Sequence, residues 1–391
     1  MKLVVIGLGQ CGGRIADEFA RLNRKARSQR GIEIVTGAFA VNTDAADLSG
    51  LEHISPDYQH RILIGGRRTG GHGVGKINEL GAEVAKEDAD KIVDAIRTAR
   101  HFFETDAFFV TAGIAGGTGS GAMPVVAQTI RDRYGDKPIY AVAILPFAHE
   151  EQTEERTVYN AATSLKSVYK VADAVFLIDN QRYVRKDFSL RNNLTQINAL
   201  IVEQFYNMLC AGEEKKLRHV GAKMLDAGDI IQSLSGWTTI GYGKSPLPMF
   251  RWFAPFSRDF RKKSTETHRG IQAMDEAISE LSIKCSPSES GRALYLLSAP
   301  AKEMNMDLVK ELADYLRGMS PRAVIRNGDY PREKNVIDIT LILSELSTVD
   351  KVREYFEKAT GVIHELKGRR GEFESKLQAI DDIAKDIPSL L

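Results

Sequence analysis

The sequence is poor in cysteine, carries almost no net charge, contains no long apolar run and lacks the GxxxxGK(S/T) phosphate loop. Its three cysteines, Cys11, Cys210 and Cys285, stand far apart and without the paired spacing of a zinc site, a usage that fits a reducing, cytoplasmic setting. With 53 Lys and Arg against 52 Asp and Glu, there is no global electrostatic case for nucleic acid or for an anionic membrane as partner, although a local basic patch stays open. The opening run, Met1 to Ile6, meets Gly7 too soon to be a signal peptide or a membrane span. It reads instead as a first buried strand. No period is strong enough to indicate internal repeats.

What is present describes an ordinary globular protein, 43% apolar and 27% charged over 391 residues, a length that predicts two domains around separate cores. Short β-branched runs at 3–6, 34–41, 107–111, 139–144 and 174–178 read as buried strands, and 75–102 and 123–133 have helical spacing. The alternation predicts an α/β fold, a mostly parallel sheet with flanking helices. Leu194, Ile197, Leu200, Ile201, Phe205 and Met208 recur at three and four, which predicts a long central helix over 190–209. Beyond it, a short helix near Ile230, a strand over 237–242 and a helix over 266–281 begin a smaller α/β domain. A strand at 293–297, a helix at 306–316 and strands at 322–326 and 336–343 complete it. The expected organisation is a nucleotide-binding domain over 1–185, a central helix over 186–211, a second domain over 212–367 and a charged terminal segment over 368–391, where Pro388 interrupts any helix.

Ligands in such sheets gather at the carboxyl ends of the strands, and there the glycines cluster. Gly7-Leu8-Gly9-Gln10-Cys11-Gly12-Gly13 follows the first strand and opens a helix, offering a tight turn and free N–H groups to an anion. Alone it is a weak signal, since a dinucleotide-binding fold starts in the same way. A second run, Ala112-Gly113-Ile114-Ala115-Gly116-Gly117-Thr118-Gly119-Ser120-Gly121, again lies between strand and helix. Its backbone donors with the Thr118 and Ser120 hydroxyls suit several phosphate oxygens. A third, from Gly65 through Arg67, Thr69, Gly70, Gly71 and Gly73 to Gly75, adds donors.

These residues resemble a known family. Gly116-Gly117-Thr118-Gly119-Ser120-Gly121 is similar to the GGTGSG loop shared by tubulins and FtsZ, and Gly9-Gln10-Cys11-Gly12 to the tubulin form of their first loop. Ala40-Val41-Asn42-Thr43-Asp44 resembles the FtsZ form of the second loop, and 69–78 the third. Ala115 stands where FtsZ usually has another glycine. Pro146, Glu155-Arg156, Val158-Tyr159-Asn160 and Ile178-Asp179-Asn180 resemble the ribose and base region of tubulin. The mixture of loop forms is most similar to the archaeal CetZ group or a related tubulin-like GTPase.

The resemblance implies that GTP or GDP binds across the loops, that Asn180 and Asn198 read the guanine edge, and that Leu194 covers the base where the family commonly has an aromatic residue. It implies Mg²⁺, with Gln10 and Asp44 orienting the metal's water shell rather than ligating it directly. Met224-Leu225-Asp226-Ala227-Gly228-Asp229 resembles the family's activating loop, with Met224 in place of a frequent asparagine. By that likeness Asp226 and Asp229 polarise the attacking water on an adjacent subunit within a head-to-tail filament. Read from the residues alone, the same two aspartates are helix N-caps.

The segment 244–263 combines Pro246, Pro248 and Pro255 with Phe250, Trp252, Phe253, Phe256, Phe260 and five basic residues after Lys244. It reads either as a loop folded on its own domain, or as a lateral filament contact or membrane-facing surface. Two further functions stay open at this point: an assembly protein that holds GTP without hydrolysing it, and a nucleotide-dependent oxidoreductase.

Overall fold

The β-branched runs form the strands of one ten-stranded sheet, in the order β3-β2-β1-β4-β5-β6-β7-β10-β8-β9. In the chain these are β1 Leu3–Leu8, β2 Val35–Asn42, β3 Arg61–Leu63, β4 Ala107–Gly113, β5 Ile139–Leu145 and β6 Ala174–Asp179, followed by β7 Gly236–Pro246, β8 Ser290–Ala299, β9 Val324–Pro331 and β10 Val336–Leu346. The computed structural model describes residues 1–184, 190–214, 216, 219–247 and 259–361.

Strands β1 to β6 are mutually parallel, as their near-continuous apolar sequences require when both faces are covered. β1 and β5 are buried along their whole length. β7 joins β6 in parallel through only three residue pairs, Ala174 with Gly236, Val175 with Trp237 and Phe176 with Thr238. Its longer stretch then pairs antiparallel with β10. β8 lies antiparallel to β10 and parallel to β9.

The expectation of separate cores gives way to a different division. One apolar cluster holds Ile6, Val110 and Met123 together with Met274, Leu308 and Ile339; the other holds Leu3, Phe109 and Phe205 together with Leu294, Tyr330 and Ile342. Neighbouring residues of one strand fall in opposite clusters, as Phe108 and Phe109 do. The two cores are therefore the two faces of the continuous sheet.

The central helix, Leu190–Ala211, lies on the second face. Phe205 meets Phe19 of the Gly9–Arg30 helix edge-on at 5.6 Å, and Phe109 and Phe176 of the sheet at 5.7 and 5.1 Å. Each such pair adds about 1 kcal/mol beyond its buried area, so this ring cluster fixes the helix against the strands whose ends form the site.

Other elements differ from expectation in their bounds. The 75–102 region divides into helices Asn78–Glu87 and Ala89–Arg97 and a single turn at Phe102–Glu104. The helix expected over 123–133 starts at Thr118, inside the glycine run, and contains Pro124. Pro124 falls in the second turn, past the unpaired N–H groups of the helix start, so it withholds the intrahelical hydrogen bond that the Ser120 carbonyl would otherwise accept. Lys244 to Pro246 belong to β7, and Phe260 lies in the helix Asp259–Ser279. Phe250, Trp252, Phe253 and Phe256 lie outside the described residues, as does 368–391. Among the described residues no helix is long and apolar enough to cross a membrane.

Candidate nucleotide site

A cleft of about 440 Å³ opens at the carboxyl ends of the parallel strands. β1 passes directly into the Gly9–Arg30 helix through Gly9, whose φ of +68° is the left-handed conformation that favours glycine. A Cβ there would also lie 2.9 Å from the Gly119 nitrogen. The first and fourth loops thus touch backbone to backbone, and the N-terminal turns of two long helices face one space. Such ends concentrate unpaired N–H groups and partial positive charge.

Gly9, Gln10 and Cys11 line the cleft from the first loop, Asn42 and Asp44 from the second and Gly73 from the third. Gly113, Gly116, Gly117, Thr118 and Gly119 line it from the fourth, and Pro146, Asn180, Leu194 and Asn198 close it at the opposite side. Segments as distant as Gly9 and Asn198 therefore converge. Asn198 is 9% exposed while Asn180 and Leu194 are half-buried, so one residue of the central helix and one just past the end of β6 each bring an amide to the same cleft.

The remaining sequence-selected residues do not line the cleft. Gly12 and Gly121 allow backbone contact, since a Cβ would sit 2.2 Å from Thr111 O and 2.0 Å from Asn78 O respectively. The Ser120 hydroxyl turns into its own helix and donates to Gly116 O. Asn160 donates from Nδ2 to Lys76 O, Ala115 O and Gly116 O at 3.0, 3.0 and 3.2 Å, clamping the third loop to the fourth. Arg156 pairs with Glu79 at 3.0 Å. Thr69 donates to Thr43 O at 3.3 Å, and Gly70 and Gly71 turn the third loop with φ of +60° and +82°.

Several wall residues were not singled out from the sequence. Asp47 lines the cleft and accepts from Gln10 Nε2 at 2.7 Å and from Asn42 Nδ2 at 3.0 Å. Arg14 and Lys76 bring cations to it, and Phe147, His149 and Glu150 form one lip. The spacing of Arg14 one turn beyond Gln10 was the available signal for that cation. Cys11 is held as a thiol, since burial pushes it up to about 12, which makes it a wall group and not a nucleophile.

Asp44 caps the helix Ala45–Ser49, accepting from Ala46 N and Asp47 N at 2.9 and 3.2 Å. Among the described residues no group of three or more His, Cys, Asp or Glu side chains could hold a metal. Gln10, Asp44 and Asp47 stand together in the cleft wall.

Asp226 and Asp229 do not line this cleft. They open the helix Ala227–Ser233 as a reciprocal cap: Asp226 Oδ1 accepts from Asp229 N at 2.7 Å, and Asp229 Oδ2 from Asp226 N at 3.4 Å. Their place is set by Gly212, where a Cβ would lie 3.0 Å from Ala227 N and 3.2 Å from the Met1 nitrogen. The acidic turn therefore sits beside the start of β1 and the cleft at its end. Eight residue steps at about 3.3 Å each separate the two by about 25 Å.

The chain matches two family descriptions in succession: "Tubulin/FtsZ family, GTPase domain" over residues 2–186, and "Tubulin-like CetZ, C-terminal domain" over 187–361. It is 32% identical over 372 residues to the tubulin-like protein CetZ1 of Haloferax volcanii, spanning 90% of both chains. The chain belongs to the CetZ family of tubulin-like proteins. Among solved structures, a GDP-bound monomer of Haloferax volcanii CetZ1 superposes with a TM-score of 0.77 at 30% identity, covering 93% of this chain and 99% of the other. A GTPγS-bound protofilament of CetZ2 from the same organism gives 0.78 at 28% identity, covering 94% and 100%. The CetZ resemblance read in the sequence is thus borne out.

Proposed function

We propose that this CetZ-family chain binds GTP in the cleft, stacks head to tail into filaments and hydrolyses GTP at each junction. One observation carries the reading: the phosphate-binding loops and the acidic turn stand at opposite ends of β1, about 25 Å apart. No side-chain movement brings Asp226 to the chain's own cleft. A second copy stacked in the same orientation does, and a repeated end-to-end contact of this kind makes an open filament. The protofilament form of the CetZ2 relative supports the same arrangement.

In the cleft, the Gly9 and Gly116 to Gly119 backbone holds the phosphates at two helix N-termini. Arg14 and Lys76 supply positive charge that the absent P-loop lysine would otherwise bring. Gln10, Asp44 and Asp47 would orient the water shell of a Mg²⁺ ion, which would supply neutralisation of phosphate charge. Asn180 and Asn198 offer both donor and acceptor to the guanine edge, and adenine would leave these amides unpaired at about 1–3 kcal/mol per group. Leu194 packs on the base. From the neighbouring copy, Asp226 and Asp229 orient and polarise the attacking water.

The test is GTP turnover against protein concentration, with GTP and ATP titrations beside it. A specific activity that rises with assembly and a clear preference for guanine are expected. Turnover per molecule that is constant across the assembly threshold would remove the shared site, and equal affinity for the two bases would remove the Asn180 and Asn198 assignment.

A further inference from the structure

The acidic turn is built on the open edge of the sheet. Among the described residues β9 ends the strand order and pairs with β8 alone, which leaves its other edge with backbone groups to satisfy. The segment 221–229 covers that edge. Asp329 N donates to Lys223 O at 3.0 Å, and Asp329 O accepts from Gly221 N at 3.1 Å.

Side chains of a strand alternate between faces, and β9 grips the segment from both. On one face the Asp329 carboxylate, 7% exposed, accepts the N–H groups of Ala222 and Lys223 at 2.7 and 2.6 Å. On the other, the Tyr330 hydroxyl accepts from Leu225 N at 3.0 Å and donates to Leu225 O at 3.3 Å. Arg326 shares the Tyr330 face and reaches further along the turn. Its Nε stands 3.7 Å from Asp229 Oδ1, and its Nη2 donates to Gln232 Oε1 at 2.7 Å.

We propose that β9 is the positioning strand of the hydrolytic half-site, and that Arg326 acts through Asp229 to aim the Asp226 and Asp229 carboxylates at the neighbouring subunit's nucleotide. The proposal rests on the shared-site reading above. Arg326 touches the carboxylate and not the nucleotide, so it is a positioning residue. Both partners are partly exposed, and such a pair adds little to folding stability. Its effect is orientation. Asp229 Oδ2 is tied to the turn by the Asp226 N–H, and the guanidinium sets the remaining oxygen. A displacement of about 1 Å at a reacting centre can cost on the order of a hundred-fold in rate.

Arg326→Ala is therefore expected to leave the monomer's GTP affinity and the filament mass near wild type, while turnover per polymerised subunit falls on the order of ten-fold. Arg326→Lys, which keeps a cation beside Asp229, restores a substantial part. Filaments mixed from Arg326→Ala and Asn198→Ala subunits regain turnover, because the second supplies an intact turn to the loaded cleft of the first. Either of two results overturns the positioning role: unchanged turnover per polymerised subunit in Arg326→Ala while Asp226→Asn abolishes it, or a loss that only tracks filament mass. If Asp226→Asn itself leaves turnover unchanged, the shared-site reading falls and this proposal with it.

Discussion

The hydroxyls of Thr43 and Thr118 lie 2.6 Å apart, both buried, and join the loop after β2 to the helix that starts in the fourth loop. Thr43 O also accepts from Thr69 and from Gly73 N, so three loops meet at one residue. Thr43→Val removes one partner and leaves the Thr118 hydroxyl without it. The expected cost is about 1 kcal/mol of stability, with a further loss in nucleotide affinity as the loops separate. Urea unfolding of Thr43→Val, Thr118→Val and the double variant checks it: strictly additive losses would show that the two hydroxyls are not coupled.

The glycines of the fourth loop divide by what lies beside them. A Cβ on Gly116 meets no atom within 4 Å, whereas one on Gly121 would sit 2.0 Å from Asn78 O. Gly121→Ala should destabilise the fold by about 1–3 kcal/mol through overpacking. Gly116→Ala should keep its stability and lose GTP affinity, because the open space is where phosphate approaches. Thermal melts paired with calorimetric titration distinguish them, and equal effects of the two changes on both measurements would contradict the division.

Asp226 performs two tasks that one substitution can separate. Asparagine caps a helix about as well as aspartate, whereas alanine costs about 1 kcal/mol at that position. Asp226→Asn should thus unfold like the wild type and yet lose most of its filament GTP turnover; Asp226→Ala should lose both. Full turnover in Asp226→Asn would assign the residue to capping alone.

Asp338, on β10, gives a pH dependence with a defined sign. Burial pushes its carboxyl up to about 6 from an ordinary 3.8, against the opposing pull of Lys334, Arg30 and Arg332. Between those values the folded form binds the extra proton. Its contribution is complete below about pH 4 and is lost as pH rises through about 6, a decline on the order of 3 kcal/mol. Asp338→Asn should flatten stability across this window and raise it at pH 7.5, as read from urea midpoints. A wild-type profile that rises from pH 4 to 7 while the variant stays flat would reverse the assignment.

The sheet and the loops were legible because each has a local cause. Strands β1, β2, β4, β5 and β6 announce themselves by β-branched runs, and their ends by glycine. The convergence of Asn180, Leu194 and Asn198 on the cleft became visible only through likeness to a family, since nothing local ties the central helix to the end of β6. Side-chain direction escaped the sequence altogether. Ser120 and Asn160 carry suitable polar groups, yet the helical turn points Ser120 back at Gly116 O, and the Asn160 Nδ2 is taken up by three carbonyls. Asp47 was missed for the converse reason: an isolated aspartate in a short helix has no pattern until Gln10 and Asn42 are folded against it. The single sheet was hidden because only three residue pairs join β6 to β7, too few to leave a trace in composition.

Under the shared-site reading proposed above, the separation of cleft and acidic turn along β1 also fixes a stoichiometry. A lone copy has every chemical group and no complete site; a pair completes one, and each added copy completes one more. The number of working centres is always one fewer than the number of copies, so short oligomers are poor catalysts in proportion to their shortness. On that reading the copy whose cleft faces solvent at the terminus would keep its triphosphate intact until another arrives, and each filament would record in that unspent nucleotide which of its two ends it presents.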